Sequence, residues 1–319
     1  MQDILAVLPP IFAIIFLAYA AARYGLISGA SNRVFNTYVY YFALPAFLFL
    51  AIVQSSPEDI FNWPFIDANF LAIVICFLLG GAASFFIFKA PWKELPLQGM
   101  TTSFGTTAYM GVPLLLTAFG TSSSLAASLA TFVHIVPMVV FVSIWFEIVG
   151  KEHPSFLHLI KDIIFVVIKN PLFIAVFAAA IFSIFSIPLP PAVLTLVTMF
   201  SNTVGTCSLF AIGLVLAHHI ECPPTTKVNH SEVALFTAIK LLVQPLVVWL
   251  LSVYFFHLTG IWLKASILMS ALPSGVTTYV LAQRYGCYES GCSRIIVISL
   301  MASVVTLTVL IAYLGPSAS

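Results

Sequence analysis

Two stretches of the chain combine hydroxyl side chains with helix breakers inside otherwise apolar sequence. Residues 98–120 read QGMTTSFGTTAYMGVPLLLTAFG and residues 269–286 read MSALPSGVTTYVLAQRYG. Proline has no amide donor and crowds the carbonyl one turn earlier, so Pro113 and Pro273 are expected to break or kink their segments inside a membrane. Each break creates a new helix N-terminus whose unpaired amides carry partial positive charge, a setting that favours a carboxylate without requiring a central arginine or lysine. The candidate lining residues are Thr106, Thr107, Tyr109, Gly111 and Pro113 from the first stretch. Pro273, Ser274, Gly275, Thr277 and Thr278 come from the second. The alternative for each threonine is a bond back to its own helix carbonyl, and for each glycine close helix packing.

These stretches need a membrane scaffold, and composition supplies one. Of 319 residues, 61% are hydrophobic and 7% charged, against about 25% charged in soluble domains. The formal charge of +1 gives no reason to expect nucleic acid. A helix rising 1.5 Å per residue crosses a hydrocarbon core of roughly 30 Å in about 20 residues. On that basis ten spans are expected at 4–22, 34–53, 69–88, 97–119, 125–149, 170–187, 192–217, 233–256, 262–283 and 295–314. Residues 153–169 carry Phe156, Leu159, Ile160, Ile163 and Val167 at helical spacing, which reads as an interfacial helix or an early start to span six.

Basic residues follow the odd-numbered spans: Arg23, Arg33, Lys89, Lys93, Lys151, Lys161, Lys169, Lys227, Arg284 and Arg294. Only Lys264 follows an even-numbered one. The bias puts those basic loops in the cytoplasm and both termini on the other side. Five spans followed by five more place the second half upside down relative to the first, an inverted repeat. The expected fold is therefore an all-α membrane protein of two inverted five-helix repeats, 1–149 and 164–319, joined by a linker at 150–163, with helices four and nine broken. Paired broken helices in corresponding positions of two halves point to a secondary transporter.

The motifs also resemble a known family. AYMGVPLLLTAFG, SLFAIGLVLA and SALPSGVTTYVLAQRYG, with ARYGLIS, YYFALPAFLF and KNPLF, are similar to the auxin efflux carrier family, which includes the plant PIN proteins and many bacterial carriers. The resemblance implies crossing of broken helices four and nine beside the substrate. It also implies traffic of organic anions, auxin in plants and small carboxylates such as malonate in some bacterial relatives. The long central loop of many plant members is missing, which argues for a short bacterial-type carrier in an inner membrane. Thr106 and Thr277 stand where relatives often carry Asn, so the site keeps a hydroxyl donor and loses the reach of an amide.

Few ionisable groups sit deep in the spans. Lys240 either snorkels to the interface or faces the interior near Gln244. His134 either makes a helix–helix hydrogen bond or carries protons. Asn202 precedes Gly205 and the SLFAIG element, and joins these three as possible coupling or supporting residues. The five cysteines have no metal spacing, so no metal and no cofactor is expected. No GxxxxGK[ST], HExxH or membrane-embedded aspartate pair occurs, which removes nucleotide-driven pumps and intramembrane proteases. The expected partners are a small organic anion and the lipid bilayer, with a homodimer left open. A membrane sensor binding the same anion without moving it is the rival reading.

Overall fold

The computed structural model describes residues 2–27, 31–150, 168–221 and 229–315. The linker beyond Gly150 and most of the 153–169 segment lie outside those residues. Every named element is helical, and the described residues hold one isolated antiparallel bridge.

The first half comprises α1 (Gln2–Arg23), α2 (Ser31–Tyr38), α3 (Leu44–Val53), the short α4 (Pro57–Ile60) and α5 (Trp63–Phe86). It continues with α6 (Leu95–Ser103), α7 (Val112–Phe119) and α8 (Ser124–Gly150). The second half holds α9 (Pro171–Ile184), α10 (Pro191–Asn202), α11 (Val204–Glu221), α12 (His230–Ala238) and α13 (Gln244–Leu250). It ends with α14 (Gly260–Ser270), α15 (Val276–Tyr285) and α16 (Glu289–Leu314). Local sequence sets many boundaries. Asn62, Asn170 and Asn229 accept first-turn amides, and Gly286 closes α15 at φ 62°, a conformation costly to residues with a Cβ.

Three of the prolines inside long helical runs are handled the same way. Pro45, Pro113 and Pro245 occupy the second position after a π-helical turn, at Val39–Ala43, Thr107–Gly111 and Ile239–Val243. A π turn adds one residue to the helical ladder and relieves the carbonyl that the proline ring would strike.

Six helical runs are long and apolar enough to cross a membrane: 33–53, 57–86, 121–148, 191–217, 230–255 and 289–314. Four shorter apolar helices accompany them, at 7–23, 107–119, 171–184 and 260–270. Phe16, Leu78, Phe86, Phe185, Met199 and Val305 are exposed along these helices. Such an apolar belt suits contact with lipid chains.

Packing sorts the helices into two groups. In one, α1 lies along α11, while α9 and α10 pack on α3. In the other, α5, α6, α8, α12, α13, α14, α15 and α16 pack on one another. The groups meet mainly where α11 contacts α7 and the Thr107–Gly111 turn, and where α3 contacts α8. Each half of the sequence thus contributes its early helices to one group and its later helices to the other.

Candidate functional site: a crossing of two interrupted helices

α6 stops at Ser103, and the chain goes extended at Phe104 (φ −92°, ψ 114°) before helical turns resume at Thr107. α14 stops at Ser270, and residues 271–275 are non-helical until α15 begins at Val276. The two gaps pair antiparallel at Gly105 and Ser274. Thr106 N donates to the Pro273 carbonyl at 3.0 Å, and Gly275 N donates to the Phe104 carbonyl at 3.0 Å. With no water to complete them in a hydrocarbon interior, the interrupted backbones complete each other. Close approach demands glycine: a Cβ on Gly275 would lie 2.2 Å from the Phe104 ring. On Gly105 it would lie 3.3 Å from Lys240 Nζ.

The first break differs from the sequence expectation in position. It falls at Phe104–Gly105–Thr106 and not at Pro113, which sits in the first turn of α7. Pro113 lies within the continuous helical run 107–119, where the π turn before it absorbs the ring and lets the helix continue without the missing amide. Pro273 does lie in its break.

The carbonyl ends of both half-helices are capped by one other helix. Lys240, fully buried, donates from Nζ to the Ser270 carbonyl at 2.7 Å. Gln244, also fully buried, donates from Nε2 to the Ser103 carbonyl at 2.7 Å. Of the two sequence alternatives for Lys240, the structure takes the interior one. Ser274 adds a bond from Oγ to the Thr101 carbonyl at 2.6 Å, and its amide donates to Ser299 Oγ at 3.1 Å. The negative ends of the helix dipoles are therefore neutralised, while the amide ends at Thr107 and Val276 face the crossing.

Hydroxyls around the crossing fall into two classes. Thr101, Thr102, Ser103 and Ser270 bond back to carbonyls of their own helices. Thr106, Thr107 and Thr278 are buried, and their hydroxyls have no protein partner, as is also true of Gln244 Oε1. A buried polar atom without a partner is costly, so such a group marks a place for a ligand or water. Ser274, Gly275 and Pro273 are buried in the crossing, whereas Thr277 and Tyr109 are half-buried beside it. Gly111 serves packing: a Cβ there would strike Met269 and Leu272.

Two expected residues do not join the site. Asn202 ends α10 with its side chain exposed, because the interruption after it, at Thr203, turns inward instead and bonds the Tyr38 hydroxyl. His134 makes no helix–helix bond: its Nδ1 donates to the Ala130 carbonyl of its own helix at 2.8 Å, leaving Nε2 buried without a partner. Ser270, Ser103 and Ser299 were not singled out in sequence, since their roles depend on backbone carbonyls or on distant pairing. No group of three metal-ligating side chains occurs among the described residues.

A family described as membrane transport protein matches residues 3–311. The chain belongs to this family. It is the auxin efflux carrier type to which the span-four and span-nine motifs pointed. Among relatives of the membrane transport protein family, the chain is 27% identical over 314 residues to a Rhizobium meliloti protein named "Putative malonate transporter". That match covers 97% of this chain and 95% of the relative. It is 26% identical over 306 residues to the uncharacterized transporter YfdV of Escherichia coli, with 93% of each chain covered. The protein is a membrane transporter and not an enzyme.

Proposed function

We propose that the chain is a secondary carrier for a small organic anion, a carboxylate, that works by alternating access around the crossing. One observation carries this reading. Lys240 and Gln244 cancel the carbonyl ends of both half-helices, so the amide ends and the free hydroxyls of Thr106, Thr107 and Thr278 are left to meet a negative charge. Lys240 is the one fully buried lysine or arginine among the described residues, and it adds positive charge within reach of Gly105.

The carrier is built, on this reading, as ten spans in two inverted repeats, 1–149 and 164–319, with both termini outside the cytoplasm. The packing supports it. Spans one and two share a group with six and seven, and spans three to five share the other with eight to ten, so corresponding spans lie together. The name of the Rhizobium relative makes malonate the first substrate to try.

Uptake of labelled malonate and of a carboxylate panel into proteoliposomes tests the proposal. Time-dependent accumulation is expected, and thermal stabilisation by about 2.7 kcal/mol at a hundred times the dissociation constant. Binding without accumulation would make the protein a sensor. No binding of any small carboxylate would remove the anion reading.

A further inference from the structure

A second polar cluster stands away from the crossing, at the end of the bundle that carries the basic loops. Glu232, in the first turn of α12, is 8% exposed. Its Oε1 accepts two hydrogen bonds, from Gln98 Nε2 of α6 at 3.0 Å and from the Tyr288 hydroxyl at 2.5 Å. Tyr288 joins α15 to α16 in a left-handed conformation, φ 55°, which is strained for an aromatic residue. Its ring occupies the space where a Cβ on Gly291 would be, 2.3 Å from Cζ. Strain at Tyr288 and a glycine that makes room for it both serve to bring the phenol to Glu232.

The three elements meeting here are those that build the crossing. α6 is one inner half-helix, the α15–α16 connection follows the other, and α12 leads directly into the turn that carries Lys240 and the helix that begins with Gln244. The Gln98–Glu232 and Ser103–Gln244 bonds are two rungs between the same pair of helical runs. The geometry points to Glu232 as a positioning residue for the crossing: it ties α6 and the connection that follows α15 to the run that carries Lys240 and Gln244.

Charged and titratable groups from each packed element surround this tie. Glu94 and Lys93 precede α6, Cys287 and Tyr288 follow α15, and Glu289 and Cys292 open α16. Burial, and then the Glu232 charge, hold the Glu94 carboxyl above the usual carboxylate range. Burial pushes the Cys287 thiol up to about 11, and burial with the Glu232 charge raises the Tyr288 phenol, so both stay protonated near neutrality. The phenol therefore stays a donor to Glu232.

Hydrogen–deuterium exchange on the full-length protein in lipid nanodiscs reads the tie directly, whatever the substrate. Glu232→Ala is expected to lower protection in both α6 and α12 about tenfold at a fixed pH. Glu232→Gln, whose amide oxygen still accepts from Gln98 and Tyr288, should restore most of it, and Tyr288→Phe and Gln98→Leu, each removing one donor, should fall between. Protection in α6 that is unchanged in Glu232→Ala, or as low in Glu232→Gln as in Glu232→Ala, overturns the proposal. If Glu232→Ala fails to fold, Tyr288→Phe and Gln98→Leu decide, and unchanged protection in both overturns it. Failure of malonate uptake would leave these readings unchanged.

Discussion

In the span that ends with α15, the chain interrupts its own helix: Pro273 sits within the gap and withholds an amide where a helix would need one. In the span that ends with α7, no proline lies in the gap. Phe104, Gly105 and Thr106 are extended because the second gap offers them two backbone hydrogen bonds and room at Gly275. One break is encoded locally and the other is imposed by its partner. A crossing of this kind needs only one self-interrupting segment, provided the other has a glycine where the two backbones touch.

The largest effect should come from filling that point of contact. Gly275→Val places a side chain inside the Phe104 ring, and overpacking of this sort costs typically 1–3 kcal/mol. Displacing the crossing by an ångström is expected to lower carboxylate uptake on the order of 10²-fold, measured in proteoliposomes. Gly105→Ala meets the flexible end of Lys240 at 3.3 Å and should be milder, and Gly81→Ala, with nothing within 4 Å, should behave as wild type. Equal loss at Gly105 and Gly275 would show that the two gaps depend on each other symmetrically.

The caps come next. Lys240→Met removes both the bond to Ser270 and a positive charge, whereas Gln244→Leu removes only the bond to Ser103. Anion affinity, read by isothermal calorimetry, should fall further in Lys240→Met; hydrogen bonds to charged groups contribute about 1.5–3 kcal/mol against roughly 1 for neutral ones. Thr106→Val sharpens the picture at the first gap. Losing a buried hydroxyl that has no protein partner should leave the empty protein as stable as before or slightly more so, while weakening the anion by about 1–3 kcal/mol. A stability loss without an affinity loss would place the ligand elsewhere.

The smallest effect is expected at Pro113. Pro113→Ala should change the unfolding free energy by under about 1 kcal/mol, since the π turn before it already accommodates the proline without a break. Pro273→Ala returns an amide to the gap and should lower uptake more. The reverse order would mean that the proline of α7, and not Gly105, opens the first break.

Much of this was legible in the residue types. Pro273 with Gly275 announced the second gap, and apolar run lengths announced the helices. Proline is the stronger local breaker, so sequence points to Pro113 for the first gap, yet the deciding contact comes from residues more than 160 positions away, as Thr106 bonding Pro273 shows. Lys240 was recognisable as an interior candidate, but not what it caps, since Ser270 acts through its backbone. Asn202 drew notice for its neighbours and proved exposed. Glu232 read as part of a loop because a carboxylate at a span end usually is, and nothing local reveals the two donors that bury it.

The π turn at Ile239–Val243 has a bearing on how span eight does two jobs. Each residue of an α-helix advances the side-chain direction by roughly 100°, so one additional residue in the ladder resets the angular phase of everything beyond it. Glu232 lies on one side of that reset and Gln244 on the other, with Lys240 inside it. The extra residue acts as a fixed phase shift between the anchored end of the helix and its capping middle, so deleting a single residue there would turn Glu232 or Gln244 away from α6 while leaving the span hydrophobic and long enough to cross.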